Sequence, residues 1–283
     1  MIININKPTG FTSHDVIAKL RGKLKIKRIG HAGTLDPMAT GVLPVFFSNA
    51  TKSIEFLENE KKEYIAKLKL GIQTDTQDIT GNIINKCDKK ILKSDFEKIL
   101  ENFRGEIKQT PPMYSAIQKN GVRLYTLARQ GITIEREARN VHIYSLDLIE
   151  NSGDEFTIKV LCSKGTYIRT LCNDIGLALG SFGAMSALCR TKYGVFCVEK
   201  SVDLIAFCES GEPEKYFLPI DILFKDLPKI ILTPAEERKF RNGLSLTTTE
   251  PDLNKCQIIS SENEILAISK IENGEIIRIK NLF

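Results

Sequence analysis

The sequence predicts an α/β protein of the α+β type, with a mixed, largely antiparallel sheet, flanking helices and a small β-rich module near its C-terminal end. Segments with the apolar spacing of amphipathic helices and segments with the two-residue alternation of strands are both present. They do not follow one another as regular βαβ units, which argues against a purely parallel sheet. The pattern changes between residues 219 and 228, so a second module is predicted to begin there.

The first predicted helix follows Thr12 and Ser13, either of which can cap its N terminus. Its apolar row consists of Val16, Leu20 and Leu24. A separate row of cations, four residues apart, consists of Lys19, Lys23 and Lys27. A solvated lysine face is the common meaning of such a row. Because Arg28 follows and residues 19–28 contain no acid, the segment also predicts a surface that attracts polyanions.

The middle of the chain is predicted from alternation, spacing and turn residues. The expected elements are a strand over residues 63–72 with Tyr64 pointing inward, a helix from Ser94 to Phe103, an Asn120–Gly121 turn, strands over residues 141–149 and 156–162, and a helix containing Tyr167 and Arg169. Together they give the mixed sheet with flanking helices.

The C-terminal segment begins with a helix signal at Thr233, Pro234 and Glu236, in which a capping box surrounds a proline at the first helical position. Alternating residues then predict strands over residues 257–260 and 265–279, interrupted by a turn at Asn273-Gly274. We therefore predict two domains, over residues 1–228 and 229–283.

Composition limits the class of protein. Of the 283 residues, 42% are hydrophobic and 27% charged, which excludes a wholly disordered chain. The apolar runs are too short to span a bilayer, and the amino terminus lacks a basic region followed by an apolar one. We expect a cytoplasmic protein that does not contact membranes. The net charge of +5 is modest, so the clustering of cations is the better sign of a nucleic-acid partner.

No metal site is predicted. The seven cysteines include no Cys-x-x-Cys pair, and the three histidines, His14, His31 and His142, have no zinc-ligand spacing. The cysteines are interpreted as reduced packing residues.

Asp36 is the first candidate for chemistry. It lies in a stretch where Gly33 and Gly41, like Gly30, permit positive φ and close backbone approach, and where Pro37 keeps Asp36 out of the helical region. An aspartate before a proline is by itself most often a turn residue. A lone carboxylate in a closely specified loop beside a basic segment nevertheless suggests chemistry on a nucleic acid.

Residues 30–44 resemble the signature loop of the TruB family of tRNA pseudouridine synthases. The resemblance extends, in the family's order, through Lys7-Pro8 with Gly10 and Ser13, Lys62-Glu63-Tyr64, Leu70-Gly71 with Thr74-Asp75-Thr76 and Asp78, Pro112-Met113-Tyr114-Ser115-Ala116, Arg136-Glu137-Ala138-Arg139, and Cys162 to Leu171. It implies the pseudouridine synthase fold and, at residues 229–283, a short RNA-binding module of the PUA type. It also implies a stand-alone enzyme that isomerises the uridine at position 55, in the T loop of tRNA.

The resemblance also implies roles for individual residues. Asp36 is the expected nucleophile, Arg169 the cation that keeps it ionised, and Tyr64 a ring that stacks on the flipped uracil while its hydroxyl assists proton transfer. The expected substrate-binding residues are His31, Tyr64, Tyr167 and Leu188. The expected contacts with the RNA backbone are Lys7, Lys19, Lys23, Lys27 and Arg28.

The reaction needs no metal or organic cofactor, and none is expected. The T arm of tRNA is the expected partner, with no obligatory protein partner and a monomer as the expected state. Whether Asp36 attacks the uracil or the anomeric carbon of the sugar is left open.

Two other classes remain at this point. A non-catalytic RNA-binding or RNA-folding protein would keep the same surface, but the presence of Asp36, Tyr64 and Arg169 together favours an enzyme. A glycoside hydrolase would need a second carboxylate to activate water. Asp75 and Asp78 lie in a polar loop and are expected to bond to backbone or arginine instead.

Overall fold

The computed structural model describes residues 1–119 and 121–283, so Asn120 of the predicted Asn120–Gly121 turn lies outside the described residues. The α-helices in the described part of the chain are α1 (Ser13–Leu24), α2 (Lys93–Leu100), α3 (Leu124–Arg129), α4 (Ile168–Ala178), α5 (Leu204–Glu209) and α6 (Pro234–Arg241).

Most of the chain is built around one large sheet. The strands before residue 229 are β1 (Ile2–Lys7), β2 (Ile29–His31), β3 (Thr40–Phe47), β4 (Lys62–Leu70), β5 (Ile72–Thr74), β6 (Ile83–Lys86), β7 (Gly105–Gln109), β8 (Gln118–Lys119), β9 (Val122–Arg123), β10 (Arg139–Ser152), β11 (Glu155–Cys162), β12 (Gly183–Tyr193), β13 (Phe196–Cys197) and β14 (Val202–Asp203). Among the described residues, ten of them form a sheet with the main order β14-β1-β3-β12-β4-β11-β10-β7. Only the β1–β14 and β3–β12 pairs of this sheet are parallel, which confirms the predicted mixed, largely antiparallel architecture.

Helix α1 covers one end of this sheet. Thr12 caps it as expected, and the side chain of Asp15 completes a capping box. The helix ends at Leu24, because Lys25 adopts the left-handed conformation at φ 57°. The prediction that Lys27 continues a helical row of lysines is therefore wrong. Lys27 and Arg28 lie in the segment that leads into β2.

Helices α2 and α4 cover the other end of the sheet. Apolar residues of both helices pack on β4, β11 and β12 in one cluster, in which the rings of Phe96 and Phe156 stack with centroids 4.0 Å apart. Each fully buried side chain of this size contributes about 1.5–3 kcal/mol relative to exposure. The same cluster contains Leu35, Tyr64 and Leu188. The core therefore holds β4, β12 and the Asp36 loop in place.

The C-terminal part forms a second, five-stranded sheet. Its strands are β15 (Lys229–Ile231), β16 (Leu246–Thr247), β17 (Leu253–Ile259), β18 (Ile265–Glu272) and β19 (Glu275–Asn281). The predicted capping box at Thr233 and the turn at Asn273-Gly274 are both confirmed. Lys280 Nζ lies 2.8 Å from Glu55 Oε1, which links this sheet to the first part of the chain.

Among the helices of the described residues, none combines the length and apolarity that crossing a membrane requires.

Candidate active site

Asp36 lies in the loop between β2 and β3, and this loop is tied down at several points. Ser13 Oγ accepts from the Leu35 amide at 3.0 Å and donates to the Leu35 carbonyl at 3.3 Å. The Gly10 amide donates to the carbonyl of Pro37 at 2.8 Å. The helix α1 segment therefore fixes the backbone on both sides of Asp36.

Arg169, in the first turn of α4, holds the carboxylate of Asp36. Its Nε lies 2.9 Å from Oδ2 and its Nη2 lies 3.1 Å from Oδ1, so two parallel N–H groups grip one carboxylate. The Arg169 side chain is only 7% exposed, whereas 35% of the Asp36 side chain remains accessible. The expected contact is present, and it leaves the carboxylate open to an incoming ligand.

Three further groups hold the guanidinium of Arg169. The carbonyls of Tyr114 and Thr76 accept from it at 2.8 Å and 3.2 Å, and Asp78 Oδ2 lies 3.6 Å from Nη1. Asp78 is itself buried and accepts from the Thr80 amide at 3.0 Å. The expectation that Asp78 bonds to an arginine is thus confirmed.

Asp75 has a different neighbour from Asp78. Its Oδ1 accepts from the backbone amide of Asn82 at 2.8 Å, and its Oδ2 accepts from the Asn82 side chain at 3.2 Å. The expectation that it bonds to backbone is confirmed, and it makes no ion pair with Arg169 among the residues that the structure describes.

The charge state of Asp36 depends on opposing effects. Loss of water around the carboxylate raises its pKa, the Arg169 guanidinium lowers it, and the nearby negative charge of Asp78 raises it again. The pKa of Asp36 remains above the ordinary value for aspartate. Arg169 is therefore the main group that keeps this carboxylate ionised.

Tyr64 lies on β4 and Leu188 on β12, and both belong to the same apolar cluster as Leu35. The expectation that Tyr64 points inward is confirmed. Burial raises the pKa of Tyr64 to about 12, although Arg190 opposes the shift. The hydroxyl of Tyr64 thus stays protonated near neutral pH and can act as a hydrogen-bond group, not as a free phenolate.

Tyr167 was expected to lie within a helix. It is instead the N-cap residue of α4, one position before the helix begins. Its amide donates to Gln109 Oε1 at 3.0 Å, and the Gln109 side chain donates back to the Tyr167 carbonyl at 3.3 Å. Burial raises the pKa of the Tyr167 hydroxyl, and the charges of Arg169 and Asp36 also act on it. Tyr167 therefore lies within the electrostatic range of the carboxylate.

His31, on β2, is half-buried. Loss of water, together with the positive charge of Arg190, lowers the pKa of His31 to about 4. Its Nδ1 has no hydrogen-bond partner among the described residues. The imidazole is accordingly neutral at physiological pH, which suits stacking better than proton donation.

The predicted basic residues divide into two groups. Lys19, Lys23, Lys27 and Arg28 are exposed, and Lys23 Nζ donates to the carbonyl of Ser210 at 2.8 Å. Lys7 is the exception and requires a correction.

The expectation that Lys7 contacts the RNA backbone is wrong for this conformation. The residue is 0% exposed, and its ammonium donates to the carbonyls of Pro8, Phe11 and Pro37 at 2.9, 2.6 and 3.2 Å. Burial lowers the pKa of Lys7 to about 8. Lys7 ties β1 to the Asp36 loop and has no free donor directed at a phosphate.

Arg190 was missed by the sequence analysis. It lies on β12, and its guanidinium donates to the carbonyls of Gly33 and Val42, both at 2.8 Å. A Cβ at Gly41, whose φ is +100°, would overlap the backbone of Arg190. The glycine at position 41 indicated that another backbone segment approaches closely there. It did not identify Arg190 as the residue that does so.

In residues 1–119 and 121–283, no three His, Cys, Asp or Glu side chains lie close enough together to hold a metal ion.

Comparison with known families agrees with the geometry. Residues 21–168 match the model of the TruB family pseudouridylate synthase N-terminal domain, and residues 169–224 match that of the tRNA pseudouridylate synthase B C-terminal domain. A tRNA pseudouridine synthase B of Clostridium kluyveri is 45% identical over 245 residues, covering 87% of this chain and 84% of the relative. One of Syntrophomonas wolfei is 44% identical over 278 residues, covering 96% and 93%.

Solved structures show the same fold. A Cbf5-Nop10-Gar1 complex contains a chain that is 26% identical, with a TM-score of 0.73 over 100% of this chain and 84% of that one. An H/ACA RNP bound to a substrate RNA contains one that is 23% identical, with a TM-score of 0.75 and the same coverage. The fold, the family models and the relatives agree, and the chain belongs to the TruB family of pseudouridylate synthases.

Proposed function

We propose that this chain converts the uridine at position 55 in the T loop of tRNA to pseudouridine, with Asp36 as the nucleophile. The relatives named above are tRNA pseudouridine synthases, which supports tRNA as the substrate. The observation that carries the proposal is the accessible Asp36 carboxylate, gripped at two points by Arg169. The enzyme acts in the cytoplasm as a monomer, without a guide RNA, a protein partner or a cofactor.

The chemistry requires a carboxylate and little else. The C1′–N1 glycosidic bond breaks, the uracil turns within the pocket, and its C5 bonds to the same C1′, with no net redox change or hydrolysis. Asp36 attacks either the uracil or the anomeric carbon, and in both routes it must be ionised. Arg169 keeps it ionised and fixes both of its oxygens, which a single-point cation cannot do.

The surrounding residues bind the flipped nucleotide. Tyr64 stacks on the uracil, and its protonated hydroxyl assists proton transfer at the base carbon. Tyr167 and Leu188 form walls of the pocket. His31, neutral because of its lowered pKa, stacks beside the vacated position in the T loop and holds the target out.

RNA binding extends beyond the pocket. Lys19, Lys23, Lys27 and Arg28 contact phosphates of the T arm, which gives salt-dependent affinity and little sequence information. We divide the chain into a catalytic domain over residues 1–228 and a short PUA-like RNA-binding domain over residues 229–283. The separate apolar cluster of the second sheet supports this division.

The test is a tritium-release assay. Purified protein alone is mixed with a tRNA transcript that carries tritium at uracil C5, because that hydrogen must leave when C5 bonds to C1′. We expect release of one tritium equivalent per tRNA without added cofactor, and chemical derivatisation should map the product to position 55.

Three outcomes would contradict the proposal. Tight tRNA binding without tritium release would favour an RNA-folding protein. Release only after addition of another RNA or protein would contradict stand-alone action. Modification at a different uridine would contradict the assigned position.

A further inference from the structure

Arg190 is a buried cation to which the proposed reaction has so far assigned no role. The residue is 1% exposed, and the centre of its guanidinium lies 5.0 Å from the centroid of the Tyr193 ring. Within the described part of the chain, no carboxylate oxygen lies within 4.0 Å of its guanidinium nitrogens. Two carbonyl oxygens accept hydrogen bonds from it and an aromatic ring lies beside it, but no acid of the described residues neutralises its charge.

The contacts of Arg190 lie at both ends of the catalytic loop. Nη2 donates to the carbonyl of Gly33 and Nε donates to that of Val42, and Asp36 lies between these two residues in the chain. Gly41 pairs directly with Arg190 in the parallel β3–β12 ladder. One side chain thus fixes the start and the end of the segment that presents the nucleophile.

Arg190 is also next to the residues proposed to contact the base. It lies directly opposite Tyr64 across the β4–β12 ladder. Its charge lowers the pKa of His31 and opposes the burial that raises the pKa of Tyr64. The positive field of Arg190 therefore reaches both Tyr64 and His31.

A buried cation without an acidic partner costs folding free energy, so a functional reason for it is expected. The reaction provides a negative charge on the base in either route. If Asp36 attacks C1′, a C–O bond forms, the C1′–N1 bond breaks and its electron pair stays on the uracil. If Asp36 adds to C6, a C–O bond forms and the ring electrons move to the O4 enolate. In the first route C5 then bonds to C1′ as the Asp36–C1′ bond breaks, and the C5 proton leaves while N1 gains one. In the second route the C1′–N1 bond breaks, C5 bonds to C1′, N1 gains a proton, and loss of the C5 proton expels the Asp36 carboxylate from C6.

We propose that Arg190 is a positioning residue for pseudouridine formation, the function proposed above: it holds the Asp36 loop beside Tyr64, and its unpaired charge favours the negative charge that develops on the uracil. Because it is buried, it acts without touching the substrate. An electrostatic role of this kind is realised in the transition state, so it affects the chemical step more than RNA binding.

The test compares Arg190→Gln, which removes the charge, with Arg190→Lys, which keeps it only while the lysine is protonated. Single-turnover tritium release is measured from about pH 6 to about pH 9, with tRNA affinity and thermal unfolding measured in parallel. Arg104→Gln is the matched control, because Arg104 also donates to a backbone carbonyl, that of Leu146, but lies away from the site.

We expect Arg190→Gln to be about 100-fold slower across the pH range, with tRNA affinity within about threefold of the wild type. Burial lowers the pKa of both Lys7 and Lys62 to about 8, and a lysine at 190 should behave similarly. Arg190→Lys should therefore approach the wild-type rate at about pH 6 and lose activity above about pH 8, a limb absent from the wild type because arginine stays charged.

Three results would overturn the proposal. These are a wild-type rate in Arg190→Gln, an Arg190→Lys profile parallel to that of the wild type, and failure of both variants to fold, which would make the guanidinium a structural anchor. A wild-type enzyme that releases no tritium would instead contradict the function itself, so the two failures are distinguishable.

Discussion

The two buried arginines beside the Asp36 loop differ in what neutralises their charge. Arg169 faces two carboxylates, those of Asp36 at 2.9 Å and Asp78 at 3.6 Å. Arg190 faces two carbonyls and a tyrosine ring, with no acid within ion-pair distance in residues 1–119 and 121–283. The guanidinium of Arg169 therefore serves to orient a carboxylate. The guanidinium of Arg190 instead retains an uncompensated charge.

This difference has a physical consequence for the site. The charge of Arg169 is largely cancelled by its partners, so its main effects are to fix Asp36 and to keep it ionised. The field of Arg190 is not cancelled, so it extends over Tyr64 and His31. Variants that change the partners of each arginine can separate these two uses.

The largest effect is expected for Asp36→Asn, which leaves Arg169 with Asp78 alone. Asparagine has nearly the same shape but cannot attack, so turnover should fall by at least about 10⁴-fold. Affinity for tRNA should change by less than about threefold, because the proposed contacts of the exposed cations with phosphates do not involve Asp36. Single-turnover tritium release and filter binding measure the two quantities.

A matched control for this variant is Asp147→Asn, since Asp147 also pairs with an arginine, Arg104, at 3.4 Å but lies outside the site. It should keep full activity. An Asp36→Asn protein that retains more than a tenth of the wild-type rate would rule out Asp36 as the nucleophile.

Arg169→Lys should cost about 10²–10³-fold in rate with near-normal tRNA affinity, because an ammonium cannot grip both carboxylate oxygens. The direction in which the reaction rate changes with pH can also be predicted. The proposed nucleophile Asp36 must be ionised, so the rate should fall as pH decreases through its raised pKa. A weaker cation contact raises the pKa of Asp36 further, and the acid limb should move to higher pH.

The control for that profile is Arg104→Lys, which should leave both the rate and the acid limb unchanged. A loss confined to tRNA affinity, or an unshifted acid limb, would show that Arg169 does not control the ionisation of Asp36.

The contact between Asp36 and Arg169 could be predicted from sequence, but the surroundings of Arg190 could not. The contact was predicted because the family resemblance covers both the motif that contains Asp36 and the motif that contains Arg169. The alternation of apolar residues along β4 also predicted that Tyr64 points inward. Arg190 donates to carbonyl oxygens, and every residue has a carbonyl, so no residue type in the sequence identifies its partners.

The two errors at lysines have similar causes. Lys7 is buried because carbonyls from Phe11 and the distant Pro37 converge on its ammonium, and only the folded chain brings them together. Lys27 left the predicted helical row because Lys25, a residue that rarely adopts positive φ, ends α1 in the left-handed conformation. Neither event has a local composition signal.

Asp78→Asn tests the second partner of Arg169, with an expected rate loss of about tenfold from looser orientation of the guanidinium. The negative charge of Asp78 raises the pKa of Asp36, so its removal should move the acid limb to lower pH, opposite to the shift in Arg169→Lys. Asp75→Asn, in the same loop but bonded to Asn82, is the control and should not move the limb. Shifts in the same direction for Arg169→Lys and Asp78→Asn would contradict the assigned electrostatics.

The smallest effect is expected at an exposed cation, where water screens the charge that burial preserves at Arg190. Lys19→Gln should weaken tRNA binding only a few-fold, lower the slope of log affinity against log salt by about one, and leave the single-turnover rate at saturating tRNA unchanged. Filter binding at several salt concentrations measures the slope. Lys98→Gln, an exposed lysine on α2, is the control and should change neither affinity nor slope. If Lys19→Gln instead slowed the chemical step while Lys98→Gln did not, surface cations would act on the reaction itself, and burial could not be what distinguishes the charge of Arg190.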